Sequence, residues 1–212
     1  MPRAARVLAL SAAFVVTMLA SPATAVPDNS SARSAGHEAE RHAAARREVA
    51  YSVITRGNVT ASMKVFRRQA QETYDDQRGW RGGGVEFRRV RRGGDFTLVL
   101  ASARAVPTFS SSCSATWSCR VGRFVIINQL RWKHASPAWN AAGRSTRDYR
   151  HLVVNHETGH WLGLDHAGCG APGARAPVMM PQSKGTDGCR LNPWPLPGEA
   201  ARIRRAVRPG ER

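Results

Sequence analysis

His156-Glu157-Thr158-Gly159-His160-Trp161-Leu162-Gly163-Leu164-Asp165-His166 is the stretch from which the rest of the chain can be read. Its form is H-E-x-x-H-x-x-G-x-x-H. Histidines at i and i+4 on a helix share one face, so His156 and His160 can aim imidazole nitrogens at a single ion. Zinc takes such nitrogens at roughly 2.0–2.1 Å, and a catalytic zinc site keeps three protein ligands and one open position. Glu157 falls beside the pair, placed to take a proton from water as general base. Gly163 permits a left-handed turn that ends the helix and brings His166 round as third ligand. One catalytic Zn2+ is therefore the expected cofactor. Asp165, one residue early, is the alternative third ligand.

Working upstream, Ser145 opens this helix with Asp148 three residues on, the spacing of a capping box. Tyr149, Leu152 and Val153 then lead at helical spacing into His156 and His160, so one stripe passes from core packing into ligation. Met63, Phe66, Ala70 and Tyr74 recur at the same period between Ser62 and Asp76 and predict an earlier amphipathic helix. Val49–Ile54 alternates as a strand does. Two more strands are expected near Val85–Val90 and Phe96–Ala101, divided by Gly93-Gly94-Asp95. Phe124–Asn128 is a further strand and a candidate for the rim of the site. Beyond Gly163 the chain is rich in Gly and Pro until a short basic helix, Glu199–Val207. The fold class is α+β. Trp132, Trp139 and Trp194 are expected as buried anchors, with lining of a substrate or sugar cleft as the alternative, and Asn155 at a solvated helix position, with a hydrogen bond near the site as its alternative. His134 and His151 lack a partner at ligand spacing.

The N-terminus reads as an address. Arg3 and Arg6 precede an apolar run, Val7–Ala20, and Ala23-Thr24-Ala25 offers a small-x-small cleavage site. Residues 1–25 are expected to be a secretory signal peptide, with a retained membrane anchor as the other outcome. Residues 26–46, rich in Ser, Ala, Arg and His, suit a flexible leader or short pro-segment. The folded domain then occupies 47–212. All four cysteines lie within it. In an oxidising compartment they form two disulfides, and the nearest-neighbour choice among three connectivities joins Cys113 to Cys119 and Cys169 to Cys189.

Thirty-two Lys and Arg against 15 Asp and Glu give a formal charge of +17. Such a balance favours anionic surroundings, including a cell-wall polymer or membrane surface. The arginines are scattered, and no nucleic-acid-binding signature occurs, so a specific nucleic-acid partner is not expected.

Followed by Pro177-Val178-Met179-Met180-Pro181, the long histidine motif resembles the metzincin clan of zinc peptidases. The Asn155-His156-Glu157 start, the Val178-Met179-Met180 turn and the Gly188-Cys189 to Asn192-Pro193-Trp194-Pro195 ending resemble a family of secreted actinobacterial proteins without an assigned function. The neutral peptidase snapalysin is similar over the same region. The resemblance implies His156, His160 and His166 as ligands, Glu157 as base, and Met179 in a turn beneath the metal, with Met180 as its substitute. It implies a zincin-like twisted mixed β-sheet with an active-site helix, a loop-rich C-terminal part, and a cleft whose edge strand pairs with an extended protein or peptide substrate. Two departures stand out. Snapalysin-like enzymes carry Asp where this chain has His166, and no tyrosine follows the turn methionine. The expected function is a secreted, monomeric zinc endopeptidase. The alternative is a zinc-holding, proteolytically weak module that docks on an anionic cell envelope.

Overall fold

Every residue of Phe96–Ala101 is buried, and this segment forms the middle of a sheet covered on both faces. The structure, a computed structural model, describes residues 47–207, so the expected signal peptide and leader lie outside the described residues. In chain order the strands are β1 (Arg47–Arg56), β2 (Val85–Arg89), β3 (Phe96–Ala101), β4 (Cys119–Val121) and β5 (Phe124–Asn128). The helices are α1 (Met63–Asp75), α2 (Gln129–His134), α3 (Pro137–Ala141), α4 (Thr146–Trp161) and α5 (Pro197–Val207). Short 3-10 segments occupy Trp80–Gly83 and Ala103–Thr108. The result is an α+β protein around a five-stranded mixed sheet, ordered β2-β1-β3-β5-β4.

The first four strands of that order run parallel, and β4 alone is antiparallel, at the edge. Parallel neighbours need crossovers, and α1 supplies the one from β1 to β2. Strands β2 and β3, divided in sequence by Gly93-Gly94-Asp95, do not pair with each other; both pair with β1, which runs between them. Gly94 makes this approach feasible. Its φ is +89°, and a Cβ there would meet Ala50 O at 2.7 Å.

Side-chain alternation sorts the two faces. Tyr51, Phe87, Phe96, Leu98, Leu100, Val125 and Ile127 face the main core with α1 and α4. Val99, Ala101 and Ile126 face a smaller cluster with Val106 and the Cys113–Cys119 disulfide. Both disulfides join nearest neighbours, the second linking Cys169 to Cys189 across the C-terminal loops. Closing a loop of that size contributes on the order of 3 kcal/mol by chain-entropy reasoning. The three tryptophans Trp132, Trp139 and Trp194 are buried. No helix among the described residues is long and apolar enough to cross a membrane.

The expected rim strand needs correction. Phe124–Asn128 is β5, held on one side by β3 and on the other by β4, so it has no open edge. The three-residue β4 is the edge strand, joined to β5 through Gly122 at φ +51°. Asn155 is also misplaced by the sequence reading, since it is wholly buried. Its Nδ2 donates to Pro193 O at 3.0 Å, while its main-chain carbonyl accepts from Trp80 Nε1 at 2.9 Å.

Candidate metal centre

Helix α4 begins as its cap dictates, with Ser145 Oγ accepting from Asp148 N at 3.0 Å. Tyr149, Leu152 and Val153 enter the main core, and the same stripe then presents His156 and His160. At its other end Gly163, with φ +93°, turns the chain back while its N–H donates to His160 O. That reversal places His166 beside the helix. Ligand nitrogens of His156, His160 and His166 all lie within 4.8 Å of one another, and this is the one such group among the described residues. Asp165 is exposed and does not belong to it.

The donor set fits a tetrahedral ion. The Nε2 atoms of His156 and His160 are 3.2 Å apart. Two nitrogens each 2.0–2.1 Å from one tetrahedral centre would be about 3.4 Å apart. The ring orientation is also fixed. His156 Nδ1 bonds Val178 O and His160 Nδ1 bonds Leu164 O, both at 2.8 Å. Carbonyl oxygens only accept, so each Nδ1 carries the proton and each Nε2 offers its lone pair.

Burial sets the protonation of these groups. It pushes His156 down to about 3, with the nearby His160, His166 and Lys184 adding to the effect and the Val178 carbonyl opposing it. His160 and His166 are lowered for the same main reason. Glu157, buried in the last turns of the helix, is pushed up to about 8 by burial, with Arg120 opposing. In the unfolded chain an imidazole titrates near 6.5, so between there and about 3 the unfolded state binds the extra proton. The stability that His156 contributes is then complete above about 6.5 and declines as pH falls towards 3. Thermal denaturation of the metal-free protein across that interval should show a falling midpoint, with a flatter profile for His156→Gln.

Beneath the helix lies Met179, 1% exposed and within the main core. It leaves no room above it. A Cβ at Gly159 would stand 2.3 Å from Met179 Sδ and 2.8 Å from Trp80 Cζ2. Gly159 is therefore a requirement of the site that its sequence position did not reveal. Gly159→Ala is expected to lower stability by about 1–3 kcal/mol through overpacking, despite alanine's better helix propensity. Met179→Ala in the same chain should recover part of the loss, as a double-mutant cycle of urea midpoints would measure. Met180, the substitute candidate, packs instead with Ala176 and Cys189 and lines the cleft.

The turn that carries Met179 is held from three sides. Ala167 N donates to Met179 O at 3.1 Å, directly after His166. Gln182 Nε2 donates to Pro177 O and Asn192 O, while Gln182 Oε1 accepts from Asn192 N. Glu199 accepts from Val178 N at 3.0 Å, Met179 N at 2.9 Å and Leu196 N at 2.7 Å. Nothing at the motif pointed to Glu199. Its only signal was a position in the first turn of α5, where carboxylates reach back to free N–H groups.

A cleft of about 340 Å³ opens above the three histidines. Glu157 and the triad form its floor, β4 with Cys119 and Arg120 one wall, and Met180 to Lys184 another. Residues 22–193 match the family described as "Protein of unknown function (DUF3152)". The chain belongs to this family. Its match takes in the triad, Glu157, both disulfides and the methionine turn, and it ends before Glu199. No curated protein matches the chain.

Proposed function

We propose that the protein is a zinc-dependent endopeptidase of metzincin type, secreted and active on extended polypeptide. The observation that carries this reading is the convergence of three imidazoles, two of them fixed by main-chain carbonyls, beside a buried glutamate in an open cleft. His156, His160 and His166 would hold the ion. When bound, zinc supplies Lewis acidity towards water and a scissile carbonyl. Glu157 is the only carboxylate among the described residues that line the cleft, and it takes the proton from water and passes it to the departing amine. Its position in the helix, one residue after His156, keeps it on a rigid element at the floor.

Strand β4 orients the substrate. It is the edge of the sheet and lines the cleft, so its outward backbone groups are available to an extended peptide added as a further strand. The Cys113–Cys119 disulfide ends at the first residue of β4 and holds this short strand in place. Two disulfides suit an oxidising, extracellular setting.

The test is metal analysis of the purified protein together with cleavage of a denatured protein substrate. About one zinc per chain is expected, with hydrolysis abolished by chelator and restored by zinc. A folded, oxidised protein that binds no zinc, or cleavage indifferent to chelator, would refute the proposal.

A further inference from the structure

The walls of the cleft are cationic. Among the described residues, and apart from the histidines, the charged side chains that line it are Arg120, Lys184 and Glu157, and Glu157 lies buried at the floor. Arg120 is the middle residue of β4. Cys119 and Val121 on either side of it pack into the smaller cluster, so strand alternation sends Arg120 to the opposite face, towards α4 and the site. Lys184 follows the methionine turn on the other wall, its N–H donating to Pro181 O at 2.9 Å. Both side chains are exposed, and neither has an ion-pair partner among the described residues.

Hydroxyls on the β4 wall extend the pattern. Ser118 Oγ accepts from Asn128 N at 3.2 Å and Ser114 Oγ from Thr116 N at 3.3 Å. Each oxygen is thereby engaged as an acceptor, and its own proton can be donated into the cleft. Walls made of cations and hydroxyl donors, with no wall carboxylate among the described residues, complement a ligand rich in charged acceptors.

We infer that the cleft selects acidic polypeptide, with carboxylate side chains of the substrate engaging Arg120 on one wall and Lys184 on the other. This rests on the peptidase reading for its chemistry, but the charge preference can be measured apart from it. The occupant is a peptide and not an anionic polymer, because the cationic wall is itself a sheet edge, to which an extended backbone can add as a further strand.

Internally quenched peptides of one length and backbone, differing only as Glu, Gln or Lys on both sides of the cleaved bond, provide the test on the intact oxidised protein. The Glu peptide should show kcat/KM about tenfold above the Gln peptide at low salt. That advantage should shrink in ~1 M NaCl, where the screening length falls to roughly 3 Å. Arg120→Glu with Lys184→Glu should invert the order; both positions are exposed, so the fold should persist and circular dichroism checks it. Equal or faster cleavage of the Gln and Lys peptides overturns the inference and leaves the peptidase intact. If no peptide is cut, the peptidase reading fails, and fluorescence anisotropy of the same three peptides decides the charge preference. Tighter binding of the Glu peptide, lost about tenfold in the double variant, supports it; binding blind to charge overturns it.

Discussion

Glu157→Ala should retain a full complement of zinc while hydrolysing peptide bonds 10²- to 10⁴-fold more slowly, the usual range for loss of a positioned general base. The two readouts separate because Glu157 is absent from the set of converging ligand nitrogens, although it is adjacent in sequence to one of them. Removing it also relieves a buried carboxyl whose ordinary ionisation is opposed by its surroundings, so the variant should be at least as stable as the parent in the metal-free state. Glu157→Gln fills the same volume and controls for the cavity that alanine leaves. Metal analysis, thermal denaturation and kcat/KM on one peptide decide the matter. A Glu157→Ala protein that holds zinc and cleaves at the parent rate would remove the carboxylate from the chemistry. One that loses zinc would instead show that Glu157 is part of how the ion is held.

How far the sequence could be read depended on whether a residue's task was local. Ser145 caps α4 by reaching three residues along the chain, and Gly163 ends it by a single dihedral, so both were legible from spacing alone. Phe96–Ala101 was legible as a strand from its length and the Gly93-Gly94-Asp95 turn before it, whereas the cover on both of its faces comes from elements distant in sequence. By contrast, β4 has three residues, one of them a disulfide cysteine, and a period of two cannot show itself over that length. The more conspicuous Phe124–Asn128 is only a candidate for the rim in the sequence, because its hydrophobicity marks a strand but not whether its edge is covered. Gly159, Asn155 and Glu199 are defined by what approaches them from elsewhere: Met179 beneath the first, Pro193 against the second, the methionine turn across the third. Such partners lie 20 or more residues away in sequence, and no local pattern encodes them.

Glu199→Gln should cost the site more than its distance from the histidines suggests. One peptide unit joins the two. Its N–H, that of Met179, donates to Glu199 Oε1, and its C=O, that of Val178, accepts from His156 Nδ1. Carboxylate, peptide and imidazole thus form a continuous chain of aligned hydrogen bonds, each polarising the next. The carboxylate end makes the Val178 oxygen a better acceptor, which draws the Nδ1 proton and leaves Nε2 more basic towards an ion. A second oxygen, Oε2, serves Val178 N and Leu196 N. Glutamine can accept through one oxygen only, and its amide N–H groups would face main-chain donors. The expected result is a stability loss of about 2–4 kcal/mol and a zinc affinity lower by 10- to 100-fold. Destabilisation alone could loosen a site, so the control is Ile203→Ala, which empties a core position on the same helix without touching that chain. Its cost should be similar, about 2–5 kcal/mol, with zinc affinity near that of the parent while the protein remains folded. Zinc titrations at a temperature where both variants are folded distinguish the cases. Equal affinities for the two would reduce Glu199 to a helix cap, and a selective loss in Glu199→Gln would show that the carboxylate acts on His156 through the backbone.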